Sequence, residues 1–516
     1  MTVDGDGSRA GARRRGDLAA GAVIGLLSVG TFLGVAQLGA AVWGWPSAPV
    51  YAIGETFIDH TPLWLKSFAA ETFGTNDKAV LIGGVVAVIA VVGALVGVLA
   101  VRRPWVGNAG ILALALIAGA TAYGRPGASA GAVLPALVGT VAATVAYEVL
   151  RNSRRRAAAI APASPARRQF LVTSSAVTAG AAVAGLAGGR VARRGAQVVA
   201  SRNSIVLPAA SGTVTAPSSA MLDVPGLPPF FTPSNDFYRI DTELSVPQVD
   251  RTKWQLRIHG MVDRELTFSY DDLLAMPLVD RDITLCCVSN PVGGPYIGNA
   301  RWTGVLLAPL LAQAGLHPDG TQLLSTSADG WTCGTPTAVV TDGRAAMLAI
   351  AQNGEPLRVE HGFPVRMVVP GLYGYVSATK WLTDIRVTTM ADKGYWITRG
   401  WSQEGPVKTQ SRIDVPRKTA PAGVVPIAGV AWAQHKGIAK VEVQIDDAAW
   451  VEARLATEDV TDTWRQWVYD GWQAPSGPHT LRVRATDKTG YTQTAETSDV
   501  APDGATGYHE VTVNVR

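Results

Sequence analysis

The sequence predicts a multi-domain chain in three parts: an all-α transmembrane anchor, then an α+β domain, then an all-β sandwich. Three observations predict it. Long uncharged apolar runs recur through about the first 190 residues, the texture changes after a Ser/Ala/Pro-rich stretch, and the last part alternates apolar and polar positions between turn formers. The boundaries read as 1–194 for the anchor, 195–224 for a linker, 225–417 for the α+β domain and 418–516 for the sandwich. Composition agrees. With 47% hydrophobic residues, 17% charged and a mean hydropathy of +0.17, the chain is neither disordered nor one ordinary soluble domain. Its three cysteines, Cys286, Cys287 and Cys333, exclude a disulfide-rich scaffold and a paired CxxC zinc or cluster site. The net charge of +4 hides an asymmetry: residues 1–200 carry 18 Lys and Arg against 8 Asp and Glu, and the remainder is acidic. A basic apolar half joined to a mildly acidic half suits a membrane anchor carrying a soluble domain, not a nucleic-acid binder.

In the anchor, Lys78 precedes 23 uncharged residues, Ala79–Val101. At about 1.5 Å per residue such a helix crosses a hydrocarbon core of ~30 Å. Similar runs cover Leu18–Trp43, Val106–Tyr123 and Ala130–Tyr147, and a weaker one, rich in small residues, covers Phe170–Gly188, giving about five spans. Arg13–Arg15, Arg102–Arg103 and the arginines from Arg151 to Arg156 fall on one side under strict alternation, which the positive-inside rule assigns to the cytoplasm. The fifth span then delivers the C-terminal domains outside. Arg167-Arg168-Gln169-Phe170-Leu171, directly before that span, resembles a twin-arginine export signal. The connection Gly44–Lys78 reads as a stretch of outer surface. None of the seven histidines lies in a span, which argues against bis-histidine haem within the bilayer.

Beyond the linker, Asp271–Met276 and Gly304–Ala314 read as helices, and Leu256–Ile258, Ile283–Leu285 and Val365–Val369 as strands. Further on, Val441, Val443 and Ile445 alternate, as do Leu481, Val483 and Ala485, and Val511, Val513 and Val515. Short alternating strands of this kind over about 95 residues predict an immunoglobulin-like sandwich.

Four segments carry a resemblance. They are Thr232-Pro-Ser-Asn-Asp-Phe-Tyr-Arg239; Thr284-Leu-Cys-Cys-Val-Ser-Asn290 with Ala300-Arg-Trp-Thr-Gly-Val305; Asn353-Gly-Glu-Pro-Leu357 leading into His361-Gly-Phe-Pro-Val-Arg366; and Val369-Pro-Gly-Leu-Tyr-Gly-Tyr375 ending in Ser377-Ala-Thr-Lys-Trp-Leu382. In this order they resemble the sulfite oxidase family of molybdopterin enzymes over about residues 225–516, with the sandwich similar to that family's dimerisation domain. The resemblance implies a sulfite-oxidase-type molybdopterin domain, a molybdenum–molybdopterin cofactor with one pterin per molybdenum, and a homodimer. It implies Cys287 as the metal ligand, the thiolate being a soft donor suited to such a metal. Cys286 is the competitor by adjacency. On a strand the two side chains face opposite ways, so one alone faces a pocket. The resemblance further implies that Asn235, Tyr238, Arg239, Ser327, His361, Arg366, Ala378, Thr379 and Lys380 bind the pterin, and that Trp401, with Tyr395 and Trp396 as nearby alternatives, takes the substrate-side place where the family has a tyrosine.

Departures from the family pattern bear on the substrate. Asn290 is followed by Pro291-Val-Gly-Gly294, without the arginines that hold sulfite in sulfite oxidases, and an arginine expected after the Phe-Tyr motif is replaced near Asp241. A dianion needs paired charges, so such a pocket suits an uncharged S- or N-oxide better. The reading is therefore a membrane-anchored, exported molybdopterin oxidoreductase that transfers an oxygen atom to or from a small molecule. Its electrons pass through a separate carrier or the quinone pool. Two alternatives stay open: sulfite oxidation itself, and a non-catalytic surface or assembly protein with a degenerate molybdopterin domain.

Overall fold

The computed structural model describes residues 5–43, 48–62, 65, 68–69, 72–73, 76–125, 128–159, 192–212 and 215–516. They fall into two compact units, one of Met1–Ala196 with Thr242–Val246, the other of Gln197–Asp241 with Pro247–Arg516. The fifth apolar run and the Arg167-Arg168 motif lie outside the described residues.

The first unit is helical: α1 Gly5–Trp43, α2 Pro49–His60, α3 Asp77–Ala100, α4 Trp105–Tyr123 and α5 Leu134–Ala159. Four stretches among the described residues are long and apolar enough to cross a membrane: Gly16–Ala40, Asp77–Ala100, Trp105–Tyr123 and Ala130–Arg156. They match the first four predicted runs. Along α3, Val88, Val91, Leu95 and Leu99 stay exposed, a surface that water disfavours and lipid does not. Glycines set how closely the helices approach. A Cβ on Gly25 of α1 would stand 2.1 Å from the Gly93 carbonyl oxygen of α3, and one on Gly97 would stand 2.2 Å from that of Gly21. Both pairs are spaced four residues apart, the small-residue pattern by which helices gain contact in lipid, where burial brings no hydrophobic gain. The connection 44–78 includes α2 among its described residues. Within it α2 carries Glu55, which is 4% exposed and lies 3.0 Å from Arg125 Nε, while Arg125 Nη1 meets Asp59 at 2.9 Å.

The second unit is built from sheets. Strands β1 Gln255–Gly260, β2 Leu266–Ser269, β5 Gln322–Ser327, β6 Thr332–Pro336 and β10 Leu382–Thr388 form one, in the order β2-β1-β10-β5-β6, with β1 and β10 parallel. The short helix α6, Tyr270–Ala275, follows β2 and starts on a capping box between Ser269 and Asp272. A second sheet orders β3 Val279–Cys286, β4 Ile297–Leu306, β7 Met347–Gln352 and β8 Glu355–Pro356, with β9 Arg366–Val368 also paired to β7. Trp302, Phe363 and Trp381 are buried among these strands.

One expectation needs correcting. Gly304–Ala314 is not one helix: β4 runs on to Leu306, and only Leu307–Ala314, α7, is helical. Gly304 sits where a Cβ would come within 2.0 Å of the Leu348 carbonyl oxygen, so its bare backbone serves the β4–β7 pairing.

Further on, two sheets share one apolar core. β11 Gln410–Val415, β13 Gly423–Trp432, β16 Arg454–Leu455 and β17 Arg465–Ala474 form the first. The second holds β12 Thr419–Ala420, β14 Ile438–Ile445, β15 Val451–Glu452, β18 Gly477–Asp487 and β19 His509–Val515. The inward positions of the predicted alternation, Val441, Val443, Leu481, Val483 and Val513, pack against Ile427 and Trp467. The first sheet starts with β11, ahead of residue 418 where the sequence places the sandwich, because β11 finds its partner in β13. His509 joins the two sheets: its Nδ1 accepts the Ile413 N–H at 2.9 Å. Burial, with Arg412 adding repulsion, pulls its imidazole down to about 4.

These contacts make two expectations testable. Replacing Gly25 by Ala, then by Leu, should lower the thermal midpoint of the full chain in detergent progressively. The larger change should cost about 1–3 kcal/mol, the range for an overpacked contact; equal midpoints would refute the α1–α3 approach. The second concerns acid. His509 is neutral when folded but takes a proton near 6.5 when unfolded, so its contribution is complete above about pH 6.5 and fades as pH falls toward 4. Asn supplies an acceptor oxygen in place of Nδ1 and does not titrate, so His509→Asn should lose less urea resistance between pH 7.5 and 5 than the native chain.

Candidate functional site

The site is assembled where the β3–β4 ladder ends. Cys286 pairs with Ile297 as the last residue of β3, and the Cys287 N–H still donates to Tyr296 O at 2.9 Å. The chain then leaves the sheet in a loop locked by Asn290, whose N–H donates to Cys287 O at 3.1 Å and whose Oδ1 accepts the Tyr296 N–H at 2.8 Å. This explains the Cys-x-x-Asn spacing mechanically. Cys286 points into the core at 1% exposure, while Cys287 is partly exposed. Cys333 is fully buried beside Thr335, and burial pushes its thiol up to about 11. Burial also raises the Cys287 thiol; hydrogen bonds from Ser289 and the positive charge of Lys380 act against that rise.

Near Cys287 lie Tyr238 and Lys380, and next to these His361 and Arg366. Tyr238 stacks on Phe237 at 5.3 Å. Burial, and then the neighbouring Cys287, holds its hydroxyl well above the usual phenol range, while Arg366 acts in the opposite direction. Phe237 in turn meets Trp302 edge-on at 5.6 Å and His361 at 5.9 Å. His361 is buried, and desolvation together with Arg366 and Lys380 brings it down to about 4, so it is neutral at physiological pH.

Arg366 is the unusual member. It is 6% exposed, and its guanidinium lies 5.1 Å from the centre of the Trp302 ring. It donates to His361 O at 3.2 Å and to Ala378 O at 3.4 Å, and its buried Nε has no hydrogen-bond partner. Among the described residues no carboxylate pairs with it. Burial pulls it down to about 10, within a range where it remains charged at neutral pH. A buried, charged guanidinium with an unspent donor fits an anionic ligand. Two glycine features make room. Gly362 has φ +109°, and a Cβ there would stand 3.0 Å from Lys380 Cα and 3.1 Å from Arg366 Cβ. Gly298 accommodates the Phe237 ring, 2.8 Å from where its Cβ would be.

Toward solvent the charges are paired. Lys380 Nζ donates to Asp241 Oδ2 at 2.7 Å, the same carboxylate that takes Arg239 Nε at 2.8 Å. Lys380 also stands 4.5 Å from the Trp381 ring centre, and burial lowers it to about 8 despite Asp241. Arg358 pairs with Glu360 at 2.6 Å and with the side-chain oxygen of Asn235.

The remaining predicted residues have other surroundings. The Thr379 hydroxyl shares a hydrogen bond with Ser325 at 2.7 Å, and the Ala378 N–H donates to Gly374 O at 3.0 Å. Ser327, at the end of β5, keeps a buried hydroxyl without a partner. Trp401 lies in an aromatic cluster with Tyr375 at 5.8 Å and Trp396 at 6.1 Å, with its indole N–H buried and unpartnered. Sequence reasoning assigns no positive role to Asp241, Asn290, Ser289 or Trp302. Asn290 and Trp302 are visible in the motifs and Asp241 as a departure from them.

A family profile described as "oxidoreductase molybdopterin binding domain" matches residues 243–396. The chain is 35% identical over 156 residues to the uncharacterized oxidoreductase YuiH of Bacillus subtilis, covering 30% of this chain and 76% of that protein. It is 31% identical over 305 residues to mitochondrial sulfite oxidase of Homo sapiens, covering 49% of this chain and 55% of that one, about half its length. Among solved structures, the sulfane dehydrogenase SoxCD of Paracoccus pantotrophus aligns with a TM-score of 0.49 and 24% identity, over 61% of this chain and 88% of its own.

The geometry predicts the effect of one small change. Gly362→Ala forces a side chain into a left-handed backbone position between Lys380 and Arg366. It should lower stability by about 1–3 kcal/mol and reduce pterin retained on purification, measured by fluorescence of the oxidised pterin. Full pterin retention would mean that the Arg366–Lys380 spacing is not what holds the ligand.

Proposed function

This chain belongs to the sulfite oxidase family of molybdopterin-dependent oxidoreductases, and from that premise we propose that it transfers an oxygen atom on a small, uncharged S- or N-oxide at a site centred on Cys287. The observation that carries the reading is the buried Arg366, charged and without a carboxylate partner among the described residues, next to Tyr238, which also neighbours the partly exposed Cys287 thiol. Arg366 holds the pterin phosphate or ring, with Tyr238 and neutral His361 bounding it. Cys287 is the protein thiolate on molybdenum, released from its proton on binding. Lys380, Arg239 and Asn235 line the outer side, with Ser327, Ala378 and Thr379 contributing from β5 and the turn before β10. The bound cofactor supplies two-electron oxygen-atom exchange: a dialkyl sulfoxide takes two electrons and two protons and leaves as the corresponding sulfide and water. Trp401 and its aromatic neighbours close the substrate side and exclude water.

The helical unit anchors the chain in the cytoplasmic membrane. With a fifth span and the twin-arginine motif, the remaining domains lie outside. A separate carrier or the quinone pool exchanges the electrons, and the C-terminal sheets act as an immunoglobulin-like module that pairs two copies. The likeness to human sulfite oxidase favours a second reading, sulfite oxidation.

A panel of sulfoxides, N-oxides and sulfite, assayed with a redox dye, separates the two readings. Sulfite turnover exceeding that of every neutral oxide would overturn the first. Cys287→Ser should lose oxygen-atom transfer by at least about 100-fold, the scale for losing a group central to the chemistry, while keeping its pterin. Unchanged activity would remove Cys287 from the centre.

A further inference from the structure

The cations of the site are treated unequally. Arg366, the deepest, has no carboxylate among the described residues. Lys380 and Arg239, further out, converge on one acid, Asp241, whose side chain is only 4% exposed. Arg358 has its own partner in Glu360. A protein that uses a cation to hold an anion leaves that cation's donors available, as at Arg366; a buried carboxylate placed on a cation cancels its field instead. Lys380 is the cation whose charge reaches both Cys287 and His361, so its neutralisation matters at the reacting centre.

We infer that Asp241 determines substrate class: by binding Lys380 and Arg239 together it offsets half of their positive charge and occupies their donors on the approach to Cys287, so that uncharged oxides are admitted and oxyanions such as sulfite are held weakly. This rests on the reading that Cys287 marks the reacting centre. The geometry calls for an acidic side chain. One carboxylate oxygen, Oδ2, accepts from both cations, at 2.7 and 2.8 Å, so a single atom bridges two basic groups. Without it, Lys380 keeps its weak contact to Glu360 O at 3.4 Å, and two cations would face incoming substrate without a counter-charge.

The test uses the full-length, cofactor-loaded chain in detergent, as native protein, D241N and D241E. Calorimetric titration with inorganic sulfate reads the charge directly and needs no turnover. D241N should bind sulfate about tenfold or more tighter than native protein, a change worth ~1.4 kcal/mol, and D241E should return to native behaviour. In the dye assay, the KM for sulfite relative to that for methyl phenyl sulfoxide should fall by a similar factor in D241N. Sulfate affinity unchanged in a D241N protein with native pterin content and melting temperature would overturn the inference. Tighter sulfate binding upholds it even where no oxide in the panel is turned over, a result that defeats only the reading of the preceding section. Should D241N fail to fold, native protein titrated between about 10 and 300 mM salt decides. Sulfate binding that stays weak across that range upholds the inference, whereas tight binding that falls steeply with salt means cations whose donors are free and overturns it.

Discussion

A guanidinium taken out of water without a counter-charge is among the more costly things a fold can hold, and the second unit is organised around one. Arg366 keeps its charge because the fold replaces its water with weaker substitutes: two backbone carbonyls, the Trp302 ring, and space rather than a carboxylate. Those substitutes depend on the sheets. Trp302 is fixed on β4, whose partner β3 ends at the cysteine pair, and Arg366 opens β9, which pairs with β7 alongside β4. The register that sets the cysteine also sets the cation. An enzyme of this family has a use for that arrangement, since its cofactor brings both an anionic group and a metal that wants a thiolate.

Charge then falls off outward in a graded way. Among the described residues the deepest cation has no carboxylate partner, the intermediate one shares an acid, and the outer ones are paired near the surface. His361, held neutral by burial and by Arg366 and Lys380, adds no positive charge of its own. The site thus concentrates its attraction for anions at one depth.

The helical unit works under a different constraint. Its apolar helices α1 and α3 meet through backbone at Gly21, Gly25, Gly93 and Gly97, the small-residue pattern that suits helices able to cross a membrane. Polar contacts also hold it together, among them Arg125 with Glu55, Asp59 and Glu243.

Much of this is legible in the sequence. Four spans follow from run length alone, and the strands around Val441, Leu481 and Val511 from strict alternation, because both signals are local periodicities. The motif points to Cys287, but adjacency leaves Cys286 as a competitor. The end of the β3–β4 ladder decides between them, since pairing buries Cys286 at Ile297 and lets the next residue turn away. Gly304 shows the reverse error: an apolar run that suits a helix becomes strand because Leu348, far along the chain, lies against it. Asp241 reads as a mere substitution in one dimension. Only the fold brings Lys380, 139 residues away, onto its carboxylate. Which stretches are apolar, which alternate and which residues could do chemistry are properties of the chain's composition and local order. Which charges cancel is a property of the fold, because pairing depends on distance in space, and distance in space is set by strand register rather than by position along the chain.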